Sequence, residues 1–199
     1  MDLLTSLIRE GLYLCYMIIP NWGMAIVLLT LVIRLVLFPL QIFTLRQQEK
    51  MKRLKPKLDE LQERLKSDGR RHLAERSVLL KENGVKPWVT MLLTLIQLPL
   101  LISMFKAISQ NQALQSASFV WIPNLAAADP TFILPILLSM ACWLQYRRQS
   151  QDGPRAMGSV LAIANFAFMV TMPAGVGLYS LVSTALQGIE RAMTVRINF

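Results

Sequence analysis

A single arginine interrupts an apolar run that is otherwise long enough to cross a lipid bilayer. The run covers residues 23–43, 21 residues in which Arg34 is the only charged side chain. A transmembrane helix needs about 20 predominantly apolar residues. The Arg34 guanidinium keeps its charge, and placing it at the centre of such a helix costs about 2.5–3.5 kcal/mol. Arg34 is therefore predicted to face protein or a water-filled cavity, not lipid.

The composition is typical of a polytopic membrane protein. Hydrophobic residues make up 54% and charged residues 17% of the 199-residue chain. A net charge of +9 would suggest nucleic acid in a soluble protein. Here the basic residues flank apolar runs, so anionic lipid and membrane topology explain them first, and no direct nucleic-acid specificity is predicted. Cys15 and Cys142 lack metal-ligand spacing and are predicted to be free thiols.

The basic residues also predict an orientation. Segments 44–87, 147–155 and 190–199 hold 18 of the 21 Lys and Arg residues, so they are predicted to face the cytoplasm. The predicted fold is an all-α polytopic membrane protein with five transmembrane helices, an outer amphipathic helix and a cytoplasmic antiparallel helical hairpin. The N-terminus is outside and the C-terminus is cytoplasmic. Spans 3 to 5 are short enough to require local bilayer thinning.

The segments alternate between the outer surface, the bilayer and the cytoplasm. They are an outer interfacial amphipathic helix (1–21), span 1 (22–43), the cytoplasmic helical hairpin (44–86), span 2 (87–108), an outer loop (109–130), span 3 (131–146), a cytoplasmic loop (147–156), span 4 (157–172), a tight turn with span 5 (173–189), and a cytoplasmic tail (190–199).

The hairpin prediction rests on a coiled-coil seam and a turn. Apolar residues on its first helix recur at alternating spacings of three and four, at Met51, Leu54, Leu58, Leu61 and Leu65. A weaker stripe on the second helix contains Leu73, Ser77 and Leu80. One continuous amphipathic helix on the membrane surface is the alternative, and the turn signal Ser67-Asp68-Gly69 argues against it.

A layer of polar side chains is predicted in the inner half of the bilayer. Arg34, Gln97, Asn165 and Tyr179 each lie eight to ten residues from the cytoplasmic end of their span, about 12–15 Å at 1.5 Å per residue. The candidate residues of a substrate groove share this layer: Arg34, Thr30, Thr94, Gln97, Asn165, Tyr179, Ser180 and Ser183.

Two interpretations of this layer compete. The Ser and Thr residues could be hydrogen-bonding partners between packed helices. No Asp or Glu lies within any predicted span, so Arg34 is predicted to lack a fixed counter-ion. A water-filled cavity that opens toward the cytoplasm is therefore the favoured interpretation.

The sequence carries no signature of a familiar enzyme. It has no HExxH, no GxSxG, no phosphate-binding loop and no paired carboxylates within a span. No catalytic residue, cofactor or metal site is predicted. A small membrane channel or anion transporter and a scaffold for membrane protein assembly remain alternatives. The apolar outer halves of the spans, at 25–28 and 100–102, argue against a channel.

Several ordered motifs resemble the core of YidC-type membrane protein insertases. The first motif runs from Asn21-Trp22-Gly23 through Arg34 to Pro39-Leu40, and the second is Ile96-Gln97-Leu98-Pro99. The third consists of residues 119–125, Asp129-Pro130 and residues 133–137, and the fourth lies within residues 173–183. The resemblance covers about residues 20–190. It implies a five-span core and a hydrophilic groove that guides nascent membrane proteins into the bilayer of the bacterial plasma (inner) membrane.

The resemblance also assigns roles and partners. It makes Arg34 the groove arginine and places Thr30, Gln97 and Tyr179 at groove or substrate-contact positions. Nascent membrane proteins and the lipid bilayer are the implied partners, with the Sec translocon and the ribosome as further candidates. The large outer domain of many Gram-negative members is not part of the resemblance. The basic C-terminal tail is reduced to a few residues, which argues against ribosome docking.

Overall fold

The computed structural model describes residues 2–65, 68–149 and 155–197, and within them it contains helices and an isolated β-bridge between Phe119 and Ile122 but no strands. The predicted all-α class is confirmed. Eight helices are found in the described ranges: α1 (Asp2–Ile18), α2 (Trp22–Arg64), α3 (Gly69–Glu82), α4 (Pro87–Ser109), α5 (Gln112–Gln115), α6 (Ile133–Gln149), α7 (Arg155–Val170) and α8 (Ala174–Ile197).

Helix α1 is amphipathic in an unusual way. It buries Ile8, Leu12 and Cys15, at spacings of four and three, as the helical pattern of the sequence predicted. Leu14 and Met17 on the other side are largely exposed although they are apolar. A short break at residues 19–21 ends α1 before α2 begins.

Helix α2 is a single helix of 43 residues, about 64 Å long at 1.5 Å per residue. The sequence predicted an apolar span to residue 43 and the cytoplasmic helical hairpin after it. In the structure one helix runs through residue 43 and through Pro39 and Pro56. A change from apolar to polar side chains does not end a helix when no cap or turn residue accompanies it. Thr44 donates its hydroxyl to the Leu40 carbonyl at 2.9 Å within the helix.

Hydropathy identifies one helix of membrane-spanning length among the described residues. That helix is α2, and two shorter apolar helical stretches cover Leu95–Ser109 and Ala156–Val170. Helix α8 runs to Ile197, so most of the predicted tail 190–199 is helical and continuous with the segment predicted as span 5.

The chain divides into two compact units. Unit 1 contains residues 1–37 and 97–190, and unit 2 contains residues 38–96 and 191–199. The apolar core of unit 1 draws on six helices (α1, α2, α4, α5, α6 and α8) and on the loop between α5 and α6. Its fully buried side chains include Ile26, Met104, Ile108, Leu125 and Val176.

Unit 2 contains α3 and the parts of α2 and α4 nearest to it in sequence. Leu54 of the predicted seam is buried. On α3 the predicted stripe is met at Leu80, which is half-buried, but not at Leu73, which is 64% exposed, or at Ser77, which is exposed. The half-buried positions of α3 are 72, 75, 79 and 80, and no described residue of this helix is buried. Ser67 of the predicted turn lies outside the described residues.

Capping interactions define the ends of α3 and α4. Asp68 Oδ1 accepts a hydrogen bond from the Arg71 N–H at 3.1 Å at the start of α3. Gly84 follows α3 with a φ of +61°, a conformation that glycine adopts without a steric cost. Gln47 Oε1 accepts from the Lys86 N–H at 2.9 Å, which ties the entry of α4 to α2.

In unit 1, the loop before α6 is organised around Asp129, which is 5% exposed. Its Oδ1 accepts hydrogen bonds from the Thr131 N–H at 3.0 Å and the Thr131 hydroxyl at 2.6 Å, and its Oδ2 accepts from the Leu134 N–H at 2.9 Å. The same loop holds the turn before α8, because Leu125 O accepts from the Gly175 N–H at 2.8 Å. Helix α6 packs against α7. Cys15 and Cys142 are free, as predicted.

Candidate functional site

A connected group of polar side chains lies among the apolar helices of unit 1. Arg34 on α2 is 4% exposed, and its Nε donates to Ser183 Oγ on α8 at 3.3 Å. A side-chain hydrogen bond joins Ser183 to Tyr179, one turn earlier on α8. Gln97 on α4 donates its Nε2 to the Tyr179 hydroxyl at 3.2 Å. We call Arg34, Gln97, Tyr179 and Ser183 the polar cluster; it connects three helices that are far apart in sequence.

Helical periodicity explains why α8 can supply two members of the cluster. Tyr179 and Ser183 are four residues apart and therefore share one face of the helix. Both are buried, Tyr179 with only 1% of its surface exposed. Buried hydroxyls need hydrogen-bond partners, and the neighbours on α2 and α4 provide them. The cluster is thus held by packing and by hydrogen bonds together.

Thr30 is fully buried one turn before Arg34. Its hydroxyl donates to the Ile26 carbonyl at 2.6 Å, a bond within α2 that satisfies the donor locally. Thr30 therefore lies on the face of α2 that carries Arg34, as the sequence predicted, and its own hydrogen bond stays within the helix.

Glu190 is the residue that the sequence analysis missed. It is 8% exposed on α8, and it interacts electrostatically with Arg34. The prediction that Arg34 lacks a counter-ion is therefore wrong. The error came from ending span 5 at residue 189, whereas α8 continues to Ile197. The signal was present, because Glu190 follows Ser183 by seven residues, which is two helical turns on the same face.

The other predicted groove residues are distributed differently. Ser180 is half-buried and directly follows Tyr179, so it points to a different side of α8. Asn165 is half-buried on α7, and its Oδ1 is buried without a hydrogen-bond partner. Thr94 lies on α4, and its side chain is outside the described part of the structure. Hydrogen bonds therefore connect four of the eight predicted residues directly.

Buried polar residues also continue along α2 in unit 2, and the sequence analysis did not select them. Gln41, Thr44 and Gln47 are buried at spacings of three residues. Nearby, Gln48 Oε1 accepts from Arg191 Nη2 at 3.1 Å. A sequence signal could have identified Gln41, Thr44 and Gln47. They place three polar side chains on one stripe of a helix that begins as an apolar segment.

The chemistry available to the polar cluster is recognition. A guanidinium has five N–H donors and matches the geometry of a carboxylate, while Ser, Tyr and Gln offer both donors and acceptors. Among the described residues no group of three or more His, Cys, Asp or Glu side chains could hold a metal ion. The arrangement is suited to attracting and orienting a polar or acidic segment.

The sequence is similar to a known protein family. The model of the family described as 60Kd inner membrane protein matches residues 14–198. The "Membrane protein insertase YidC" of Chlamydia trachomatis is 33% identical over 204 residues, which cover 89% of this chain and 26% of that protein. The proteins of the same name from Aquifex aeolicus and Wolinella succinogenes are 30% and 35% identical, and the matches cover 34% and 32% of their lengths.

The fold is similar to that of a solved structure. The "Active YidC insertase crystal structure with the first transmembrane domain resolved" matches with a TM-score of 0.77 and 24% identity, over 97% of this chain and 45% of that one. The chain spans about a quarter to a third of the length of the curated relatives described above.

Proposed function

The chain belongs to the 60Kd inner membrane protein family, and we propose that it is a membrane protein insertase that guides nascent hydrophobic proteins into the bilayer. The proposed location is the bacterial plasma membrane. The proposed activity makes and breaks no covalent bonds, so the protein is not an enzyme in that sense. The observation that carries the proposal is the polar cluster around Arg34, which is buried in a unit whose core is otherwise largely apolar.

The proposed topology has five transmembrane helices formed by the first part of α2 and by α4, α6, α7 and α8. Large apolar side chains on four of these helices are exposed, as lipid-facing side chains would be, for example Leu35, Leu95, Ile136 and Ile163. The rest of α2 and α3 form the proposed cytoplasmic hairpin, and α1 lies at the outer interface. In this orientation 18 of the 21 basic residues are on the cytoplasmic side.

The polar cluster lines a proposed hydrophilic groove that is open toward the cytoplasm and the lipid. Thr30, Asn165, Ser180 and Thr94 are assigned to the same groove. The buried Asn165 Oδ1 without a hydrogen-bond partner supports water in this region, because buried polar atoms nearly always have a protein or water partner. The fixed charge of Arg34 attracts acidic residues of a client.

The proposed mechanism has two steps. The hairpin recruits a client, and the short polar outer segment of the client enters the groove, where Arg34 attracts its carboxylates. The apolar helix of the client then moves into lipid, driven by about 25 cal/mol for each Å² of apolar surface that leaves water. Helices α6 and α7 have 17 and 16 residues, about 24–26 Å. Because a bilayer core is about 30 Å thick, thinning beside these helices shortens the path of the polar segment.

A channel is the less favoured function. Above Thr30 in the proposed orientation, most buried side chains of unit 1 are apolar, for example Ile26, Ile108 and Val176, although Ser103 is buried there too. A conducting path needs polar groups or water through both leaflets, and this largely apolar interior argues against one. The Sec translocon and the ribosome remain candidate partners of the proposed insertase.

The test is reconstitution of the chain alone in liposomes with two matched single-span clients, one with an acidic and one with a neutral outer segment. Insertion is measured by protease protection. Arg34→Ala should reduce insertion of the acidic client about tenfold or more, equivalent to about 1.4 kcal/mol, and reduce insertion of the neutral client much less. Arg34→Lys keeps the charge without the planar fork, so it should lie between wild type and Arg34→Ala.

Three other outcomes contradict the proposal in different ways. If the wild-type chain inserts neither client, the insertase function is rejected. If Arg34→Ala reduces insertion of both clients equally, Arg34 acts through packing or hydration. No loss for either client, with the wild type active, favours a scaffold. Both clients are measured in the same vesicles, so a smaller folded fraction of a variant lowers both signals equally and leaves their ratio unchanged.

A further inference from the structure

Arg34 of the polar cluster interacts with a negative charge that the groove mechanism does not use. Glu190 is 8% exposed, and glutamate is almost never this deeply buried unless it is paired. It lies two turns after Ser183 on α8, and the Ser183 Oγ accepts from Arg34 Nε at 3.3 Å. The electrostatic interaction between Glu190 and Arg34 provides the required partner.

The position of Glu190 bears directly on how a client could reach Arg34. Arg34 is 4% exposed, so little of its guanidinium surface is available while the pair is intact. One Arg34 donor, Nε, is already committed to Ser183. An incoming carboxylate must therefore compete with the negative charge of Glu190 for the guanidinium, and the two negative charges repel each other at close range.

We propose that Glu190 is the resident counter-ion of Arg34 and that it sets how acidic a client segment must be to engage the groove. An acidic segment replaces Glu190 at the guanidinium, and Glu190 returns when the segment leaves. In the absence of a client the pair keeps the Arg34 charge satisfied inside an apolar protein. This inference rests on the proposed insertase function, and it assigns a specificity-determining role to a residue at the end of the proposed last span.

The test is the ratio of acidic-client to neutral-client insertion in the liposome assay described above. Glu190→Gln removes the competing charge and keeps the shape of the side chain. It should raise the ratio about 3- to 10-fold, equivalent to about 0.7–1.4 kcal/mol. Glu190→Asp keeps the charge but shortens the side chain by one methylene group, so it should raise the ratio by a smaller factor.

Two controls separate this role from a structural one. Glu10→Gln removes one negative charge from an exposed position on α1 and should leave the ratio unchanged. In the double variant Arg34→Ala/Glu190→Gln, the ratio should equal that of Arg34→Ala alone, because Glu190 acts only through the guanidinium. A purely structural role predicts losses that are equal for both clients and therefore no change in the ratio.

The proposal is overturned if Glu190→Gln gives a ratio equal to or below that of the wild type. If Glu190→Gln does not fold, the same criterion applies to Glu190→Asp. A raised ratio that persists in the double variant also overturns it, since the effect would then not pass through Arg34. Inactivity of the wild-type chain toward both clients would instead reject the proposed function, which is a different result.

Discussion

The loop before α6 should depend strongly on one carboxylate. Asp129 is 5% exposed and accepts two hydrogen bonds from Thr131 and one from the Leu134 N–H, at 2.6–3.0 Å. Hydrogen bonds to a charged group each contribute about 1.5–3 kcal/mol net, and their contributions are not additive. The carboxylate also caps the first turn of α6, which is worth about 0.5–2 kcal/mol. Asp129→Ala should therefore lower the free energy of unfolding by about 2–4 kcal/mol.

The assay is thermal unfolding of the purified protein in a mild detergent. For a chain of this size 1 kcal/mol corresponds to about 2–4 °C in Tm, so Asp129→Ala should lower Tm by about 5–15 °C. Asp68→Ala is the matched control, because Asp68 also caps a helix but is exposed and accepts one hydrogen bond at 3.1 Å. That variant should lower stability by about 1 kcal/mol or less.

The pH dependence of the same variant provides a second measurement. Burial alone would raise the pKa of Asp129, but hydrogen bonds from Thr131, Leu134 and Trp121 outweigh it and hold the pKa below its usual value. The stabilisation is therefore present above the pKa of the unfolded chain and is lost as the pH falls through the lower pKa of the folded state. The stability difference between wild type and Asp129→Ala should shrink below about pH 4.

Two results would refute this reasoning. A loss in Asp129→Ala no larger than that of Asp68→Ala would mean that the buried hydrogen bonds add nothing beyond an ordinary helix cap. A stability difference that is the same at pH 7 and pH 3 would mean that the ionised carboxylate is not the stabilising form.

Two further predictions concern close packing and water access. A Cβ on Gly23 would lie 2.6 Å from the Cβ of Phe119 and closer still to its ring, so Gly23→Ala should lower the free energy of unfolding by about 1–2 kcal/mol. Gly188→Ala places a methyl group in open space and should raise the free energy of unfolding by about 0.5–1 kcal/mol. Equal Tm values for the two variants would contradict the packing argument. In a background without the native cysteines, Asn165→Cys should react with a water-soluble thiol reagent added from the cytoplasmic side. Ala107→Cys, at a fully buried apolar position, should not react, and equal labelling rates would argue against water in the groove.

The sequence was sufficient to predict most of the helices. The outer helix predicted over 1–21 corresponds to the helix Asp2–Ile18, and the segment predicted over 87–108 corresponds to the helix Pro87–Ser109. These segments combine strong hydrophobic patterns with clear stop signals, such as the Pro20-Asn21 break and Gly84. The boundary at residue 43 had no such signal, since only the polarity changed there, and the helix continues across it.

The polar cluster was predictable in its members but not in its pairings. Counting residues from the ends of the spans placed Arg34, Gln97 and Tyr179 in one layer, and hydrogen bonds now link them through Ser183. Which side chain touches which depends on the rotation of each helix about its axis, and a one-dimensional count of depth does not contain that angle. Glu190 was missed for a simpler reason, because the segment that contains it was treated as a tail.

The long sequence separation within the polar cluster has a consequence for how this protein is made. Arg34 and its partner Ser183 are 149 residues apart, and Gln97 and Tyr179 are 82 apart. At a translation rate of about 5–20 residues per second, α8 emerges about 7–30 s after Arg34 has been synthesised. During that interval Ser183 does not yet exist, so Arg34 has been synthesised without the hydroxyl that it contacts in the folded protein. The hydrogen bond that joins α2 to α8 can therefore form only after almost the whole chain has been made.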